Sequence, residues 1–445
     1  MASTPRQLIL NVFFQRFGHH PAGWRHPSSK DDGRPNLAWW LRAAKLAEDA
    51  KFHTFFLADF IGRSAAVDKQ TGRSGLSYQF EPLTLLSAIA THTQHIGLVG
   101  TVNINFSDPY NIAREFTSLD HLSGGRAGWN IVSSFNEATA KNFGIEAARG
   151  HEERYARAAE FLDLTKALWD SWDDDAFDTP DQQTGVYFQQ ESAHPVNKQG
   201  VYYKSEGLLD FPRPIQGYPV FVQAGNSDTG REFAAQHAEM TYCSATSLKV
   251  AQEYYADVKG RMTKYGRDPD QLKISPGLSV VVGESNQEAQ DKFGELQSAV
   301  DFSHIEFGGY DLSQYPLDEP LPDLPYQPSE NGKGRFLQQL ELARRENLTI
   351  RQLVLKFRVA RGHLQAIGSV KTVADLIEEW FVEKGADGFN VVPPLLPQGF
   401  EDFTRLVVPE LQRRGIFRKE YQHGTYRDNL GLDRPANPNS LDSNA

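Results

Sequence analysis

The chain has 445 residues, 40% of them hydrophobic and 23% charged, a balance that excludes a disordered or collagen-like polymer and suits a large folded core. Its formal net charge of −11 repels phosphate backbones and anionic lipid surfaces, so neither nucleic acid nor a membrane is an expected partner. One cysteine, Cys243, excludes an internal disulfide framework, and its neighbours Met240, Tyr242 and Ala245 predict a buried, unreactive thiol in a reducing compartment.

Short apolar or β-branched runs alternate with amphipathic segments along the chain. Strands are expected at residues 8–14, 54–60, 96–104, 127–134, 219–225, 240–245, 274–282 and 388–393. Each run is nearly continuous in apolar residues, as strands buried on both faces are. Helical patterns at 37–50, 82–95, 111–122, 151–172, 229–237, 248–265, 372–384 and 401–414 separate or follow them. Eight successive βα units predict an α/β fold, a closed (β/α)8 barrel. About 250 residues suffice for such a barrel, so the surplus is expected in insertions near 61–80, 173–218 and 284–370 of a single domain spanning 1–432, followed by a polar tail at 433–445, an arm or disordered. In the third insertion 334–346 and 349–365 read as helices, and Gly308-Gly309 and Gly332-Lys333-Gly334 as hinges of a lid. No apolar run approaches the roughly 18 residues that span a bilayer. Residues 1–6 lack the pattern of a secretory signal, so a cytoplasmic location is expected.

The chemistry of such a barrel sits at the C-terminal ends of its strands. No lysine stands there, against a Schiff-base enzyme, and Asp59 is the one carboxylate, where a sugar hydrolase needs two. A hydrolase would have to bring a second from an insertion, for example Glu306 or Asp311. His19, His20 and His26 lack metal-helix spacing and His151-Glu152-Glu153 lacks a second histidine, so no metal is expected. Gly124-Gly125-Arg126-Ala127-Gly128 precedes a strand, which makes it a turn closing the preceding helix. Gln223-Ala224-Gly225-Asn226-Ser227-Asp228-Thr229-Gly230-Arg231 joins a strand directly to a helix. Exposed amides at that helix start, with the Ser227 hydroxyl and Arg231, would cradle a phosphate; a plain N-cap by Ser227 or Asp228 is the competing explanation.

Gly18 through Arg25, Phe56-Leu57-Ala58-Asp59, Arg126 through Ser134, His151-Glu152-Glu153-Arg154-Tyr155, Gln223 through Ser227 and Ala386 through Pro394, in this order over nearly the whole chain, resemble the bacterial-luciferase-like flavin monooxygenases. The resemblance is to the branch of nitrilotriacetate, EDTA and dibenzothiophene-sulfone monooxygenases. It implies a two-component FMN-dependent monooxygenase that takes reduced FMN (FMNH2) from a separate NAD(P)H-dependent flavin reductase and uses O2 to oxygenate a small organic molecule, leading to C–S or C–N cleavage. By motif position it puts Asp59, Thr101, Asn103 and Asn130 around the flavin ring, His151 and Tyr155 toward the ribityl-phosphate side, and Gly225, Asn226 and Ser227 at the phosphate. Asn226 stands where relatives often carry serine, which puts one side-chain contact in doubt. Each residue also has a structural alternative: Asp59 as a cap, His151 as a helix start, Tyr155 as core packing.

His20 and Arg25, with His19, are the candidate substrate-facing residues; Arg63, Arg73, Arg358 and Arg361 are further clamps for an anionic substrate. Trp24 and Trp129 read as rim or core aromatics. The surrounding helices suit a homo-oligomer, dimer or tetramer. A non-catalytic flavin-binding protein and a flavin-independent barrel hydrolase are the alternatives.

Overall fold

The computed structural model describes residues 6–29, 35–59, 61–62, 79–133, 137–145, 151–303, 305–307, 310–324, 340–360, 362–422 and 424–440, with 137–138, 151–152, 306 and 357–360 described in backbone only. The expected hinges at 308–309 and 332–334, and Arg63, Arg73 and Arg361, lie outside these residues, as does the Arg358 side chain.

Strands β1 (Ile9–Phe13), β2 (Thr54–Leu57), β3 (Gly97–Asn103), β4 (Ala127–Val132), β7 (Val220–Ala224), β8 (Met240–Cys243), β9 (Lys273–Gly283) and β13 (Gly388–Val391) pair in parallel and close on themselves, β13 against β1 and β8 against β9. All eight expected strands are present, and the barrel is the one their count implies. Intervening helices are α1 (Leu37–Asp49), α2 (Pro82–Ala90), α3 (Pro109–Ser123), α4 (Glu137–Asn142), α5 (His151–Trp169), α6 (Asp228–His237), α7 (Leu248–Met262), α8 (Asn286–Ser298) and α11 (Val370–Val382). Most begin at a side-chain cap, for example Asn36, Glu81, Asp108, Ser227, Ser247 and Ser285, which supplies acceptors for the first free amides.

Alternate residues of the strands point inward. Ile9, Phe56, Val99, Val220, Val222, Met240 and Tyr242 fill the barrel, while Leu10, Phe55, Leu98, Trp129 and Phe221 face the helices. Below, α14 (Tyr426–Leu430) plugs the barrel: the Tyr426 hydroxyl meets Thr54 Oγ1 at 2.6 Å, and a Cβ on Gly97 would stand 2.2 Å from the Tyr426 ring. Glycine is therefore the residue that lets the plug seat.

The third insertion departs from expectation. Residues 349–365, read as one helix, are α10 (Ile350–Ala360) followed by strand β12 (Leu364–Ser369). The upper half of β9, Leu278 to Gly283, projects past its barrel partners and takes β12 as a parallel neighbour. Six residues with Gln, Ala and Gly among them carry weak strand propensity, and register with β9 decides their conformation. Residues 286–298, expected to be irregular, form α8 behind the Ser285 cap. Residues 340–345 are helical (α9), and β10 (Glu306–Phe307) pairs with β11 (Tyr310–Asp311). The second insertion contains the hairpin β5 (Val196–Gln199) and β6 (Lys204–Gly207). The expected last helix is α12 (Gln398–Asp402), a π-turn at Phe403–Val407, and α13 (Val408–Arg413). Pro409, lacking an N–H, accounts for the interruption. The tail from 433 to 440 docks: Arg434 pairs with Asp174, and Asn437, buried, donates to the Trp172 carbonyl.

Candidate active site

The mouth is framed by residues that follow β1 and β13. His19 and His20 amides donate to the Pro393 and Pro394 carbonyls at 2.9 and 3.0 Å, zipping the 15–26 loop to the end of β13. His19 Nε2 donates to Phe13 O at 2.9 Å, which orients that ring. At His20 the Ala22 N–H donates to Nδ1 at 3.1 Å, so the neutral ring carries its proton on Nε2. That Nε2 is buried with no partner, and burial pulls the pKa down to about 4. His20 is thus a neutral N–H donor without an acceptor among the described residues. Arg25 is exposed and donates to Ala299 O at 2.8 Å. It ties the loop to the third insertion, whose Val300, Ile305, Leu312 and Leu353 pack on Ala22.

Moving round the mouth, Asp59 at the end of β2 accepts from Gln79 Nε2 at 3.2 Å. Thr101 on β3 and Asn130 on β4 are register partners; Asn130 Nδ2 donates to Thr101 Oγ1 at 2.8 Å, and Asn130 Oδ1 is left buried without a partner. Asn103 caps the turn Ile104–Phe106 by accepting from Asn105 N, and Asn105 Nδ2 reaches the Ser133 carbonyl at 2.9 Å. Thr101, Asn103 and Asn130 are each less than a tenth exposed.

Beyond β4 stands β7, and there the strand-to-helix motif builds a cradle. Ser227 caps α6, its Oγ accepting from Gly230 N at 3.2 Å. The N-cap and the phosphate readings are compatible, because that bond uses an oxygen lone pair and leaves the hydroxyl hydrogen to donate outward. A Cβ on Gly230 would meet Ser227 Oγ at 3.0 Å, Gln223 Nε2 at 3.4 Å and the Tyr155 hydroxyl at 3.5 Å. Three polar tips thus converge at the first turn of α6, where glycine keeps the space open. Tyr155 also packs edge-on to Phe233, 6.1 Å between centroids. Asn226 faces elsewhere: its Nδ2 donates to Ser244 O at 2.7 Å and its Oδ1 accepts from Ser244 N, joining the ends of β7 and β8. Arg231 is drawn away to Asp257 at 2.8 Å and onto Tyr254. His151 opens α5, and its side chain is not among those described.

Asp59, the Thr101–Asn130 pair, Asn103 and the cradle therefore occupy four consecutive strand ends, β2-β3-β4-β7, an arc of about 14 Å at ordinary strand spacing. His20 and Arg25 follow β1, the strand that neighbours β2 at the Asp59 end of the arc. The arc suits an elongated ligand with a polar body and an anionic end, and the orphaned Asn130 oxygen and the open cradle fit a flavin mononucleotide. Gln223 and Gln79 escaped the sequence reading as side chains with roles. Gln223 had a signal, an amide at a helix-facing position of the otherwise apolar run Val220-Phe221-Val222. Of the hydrolase candidates, Asp311 serves a turn, accepting from Ser313 N, Ser313 Oγ and Ile305 N. Cys243 is buried, which pushes its thiol up to about 12. Among the described residues no helix is long and apolar enough to cross a membrane.

Residues 17–388 match the family model described as "Luciferase-like monooxygenase". The chain is 43% identical over 443 residues to N-acetyl-S-(2-succino)cysteine monooxygenase of Bacillus subtilis (strain 168), covering 98% of this chain and 99% of the relative. It is 43% identical over 446 residues to nitrilotriacetate monooxygenase component A of Aminobacter aminovorans, covering 97% and 98%. A crystal structure of riboflavin lyase with modified FMN and riboflavin superposes with a TM-score of 0.83 at 29% identity, covering 97% of each chain.

Proposed function

The chain belongs to the luciferase-like monooxygenase family, and from that premise we propose that it is the oxygenase of a two-component system, taking reduced FMN from a separate NAD(P)H-dependent flavin reductase. The substrate is a small organic molecule with carbon bound to sulfur or nitrogen. The observation that carries this reading is the cradle at the start of α6, where Ser227, Tyr155 and Gln223 converge beside helix amides. That relatives include a protein named component A supports the separate reductase. A cytoplasmic location suits an enzyme fed by reduced nicotinamide.

Bound reduced flavin supplies the two electrons that let O2 put one oxygen into the substrate and release the other as water. The chain's part is to bind, orient and exclude. Ser227 and Tyr155 hold the phosphate end, Thr101 and Asn130 present amide and hydroxyl groups to the ring, and Asp59 stands at its edge. The 15–26 loop, roofed by the third insertion, keeps bulk water from the mouth. His20 Nε2–H offers a neutral donor to a substrate oxygen. Hydroxylation of the carbon next to sulfur or nitrogen gives an adduct that collapses to a carbonyl, breaking the C–S or C–N bond and releasing a thiol or amine.

The test is anaerobic titration with reduced FMN followed by mixing with O2 and a panel of thioethers, amines and sulfones. Oxygen uptake coupled to appearance of thiol, amine or sulfinate supports the reading. Failure to bind reduced FMN sinks it.

A further inference from the structure

Gln15, which follows β1, is a buried side chain that the fold leaves unused. It is 4% exposed, and its Oε1 and Nε2 are both buried without a hydrogen-bond partner. Among the described residues it is the one amide with both ends in that state, and each end is a cost to folding. Its direction follows from the alternation along the strand. Asn11 and Phe13 face the barrel interior, Asn11 Nδ2 donating to Ser275 Oγ at 3.1 Å and the Phe13 ring lying 4.8 Å from that of Phe56. Phe14 packs outward on Phe55 and Phe400. Pairing with β2 continues past Phe13, since the Phe14 amide donates to Phe56 O at 3.1 Å, and Gln15 takes the next inward place, beside the strand end that carries Asp59. The turn it opens doubles back over the end of β13. Gly18 N donates to Gln15 O at 2.9 Å, and a Cβ on Gly18 would stand 2.5 Å from Pro394 O, the carbonyl that accepts the His20 amide. Gln15 and the neutral donor His20 thus belong to one loop, anchored on one point of the rim.

We propose that Gln15 is a specificity-determining residue that reads a secondary amide of the substrate. The proposal rests on the oxygenase reading above and adds a substrate class to it: thioethers or amines that also carry an N-acyl group. The ground is complementarity. A carboxamide presents an acceptor and N–H donors side by side, and a second amide returns that pattern, its N–H to Oε1 and its carbonyl to Nε2. An ammonium group has donors only and leaves Nε2 unmade, a carboxylate sets an anion against Oε1, and an ester lacks the N–H. A site built to make such bonds rejects the analogue that lacks one, because its own buried group is then left unpaired. The imide edge of a flavin ring carries the same pattern, but the strand ends assigned to the flavin run from β2 to β7, and Gln15 stands one strand beyond them on the His20 loop.

The probes are N-[2-(alkylthio)ethyl]acetamides, the isosteric 2-(alkylthio)ethyl acetates, in which oxygen replaces the N–H, and the parent 2-(alkylthio)ethylamines, each with an ethyl, butyl or benzyl group on sulfur. Oxygen uptake and thiol release by enzyme supplied with reduced FMN give kcat/KM for wild type, Gln15→Leu and Gln15→Met. Wild type should favour the amide over ester and amine by about tenfold or more in at least one series, and both variants should bring that ratio to within about threefold of unity. Without substrate, the variants should bind reduced FMN within about twofold of wild type, and ligand-free Gln15→Leu should melt no lower than wild type, because two buried orphans are gone. If the leucine variant does not fold, the methionine variant is judged by the same ratios. Variants that keep the amide preference give Gln15 a structural role only, and variants that lose reduced-FMN binding give its amide to the flavin ring; either result overturns the proposal. A wild type that binds reduced FMN but shows no amide preference, or oxidises none of the probes, overturns this proposal alone. One that binds no reduced FMN overturns the oxygenase reading and this proposal with it.

Discussion

The two ends of the barrel treat buried polar groups in opposite ways. At the closed end most buried polar groups are paired, His237 Nε2 being an exception. Arg126 donates to the carbonyls of Ala90, Thr93, Ile96 and Ser123 and to Thr93 Oγ1. Glu48 accepts three amides at 94–96, and Arg427 spans both oxygens of Glu239 and two carbonyls, with only its Nε left over. At the open end Gln15, His20, Asn130 and Gln223 are buried with polar atoms unmatched. Folding stability selects the first pattern, because an unmade buried hydrogen bond costs about 1–3 kcal/mol. The second persists where a ligand completes the bonds. Substitutions at the two ends should accordingly separate stability from binding.

The largest effect is expected at the closed end. Arg427→Met leaves the largely buried Glu239 carboxylate with the Phe221 amide but without its cation, and urea unfolding should show a loss of about 3 kcal/mol. Reduced-FMN affinity of the molecules that remain folded should be unchanged; a selective loss of flavin binding would erase the distinction between the ends. Next comes acid. The His20 pKa is lowered by burial from 6.5 to about 4, so the unfolded chain binds its proton first, and stability should fall as pH drops from about 6.5 to 4, by up to about 3 kcal/mol from this residue. His20→Gln should flatten that limb in a urea-midpoint profile against pH. Its slope will not vanish, because burial also lowers the pKa of His53 and His237. A smaller effect belongs to the plug: Tyr426→Phe removes the hydrogen bond to Thr54 and should cost about 1 kcal/mol, leaving flavin titrations untouched.

The barrel strands were legible in the sequence for one reason, whereas the plug and the ion pairs of the closed end were not read there. Strands such as Leu8 to Val12 or Gly97 to Asn103 are buried on both faces, so apolar content alone marks them. β12 was not, because its conformation comes from pairing with the overhang of β9 rather than from its own residues. The site was half legible. Thr101, Asn130 and Ser227 stand at strand and helix ends whose geometry follows from the fold. Arg25, expected to face substrate, donates to the Ala299 carbonyl, and the tautomer of His20 depends on an amide two residues on. Such partnerships are set by loop conformation, which composition does not encode. Gln223 could have been found by parity, as a polar residue where the alternation calls for an apolar one.

Asn130 gives the sharpest separation with the smallest energy. Replacing it by leucine removes one hydrogen bond, from Nδ2 to Thr101 Oγ1, and with it one orphan, the buried Oδ1. The two changes oppose each other: the lost bond costs about 1 kcal/mol, and relief of an unpaired buried oxygen returns a similar amount. Thr101 retains a hydroxyl able to reorient, and leucine is close to asparagine in size. Unfolding should therefore shift by less than about 0.5 kcal/mol in either direction. Reduced-FMN affinity should fall severalfold, since the ring loses the β4 amide whose oxygen has no other partner among the described residues. If instead stability drops by more than about 2 kcal/mol while flavin binding holds, Asn130 belongs with the paired groups of the closed end, and its unmatched oxygen is no marker of a ligand.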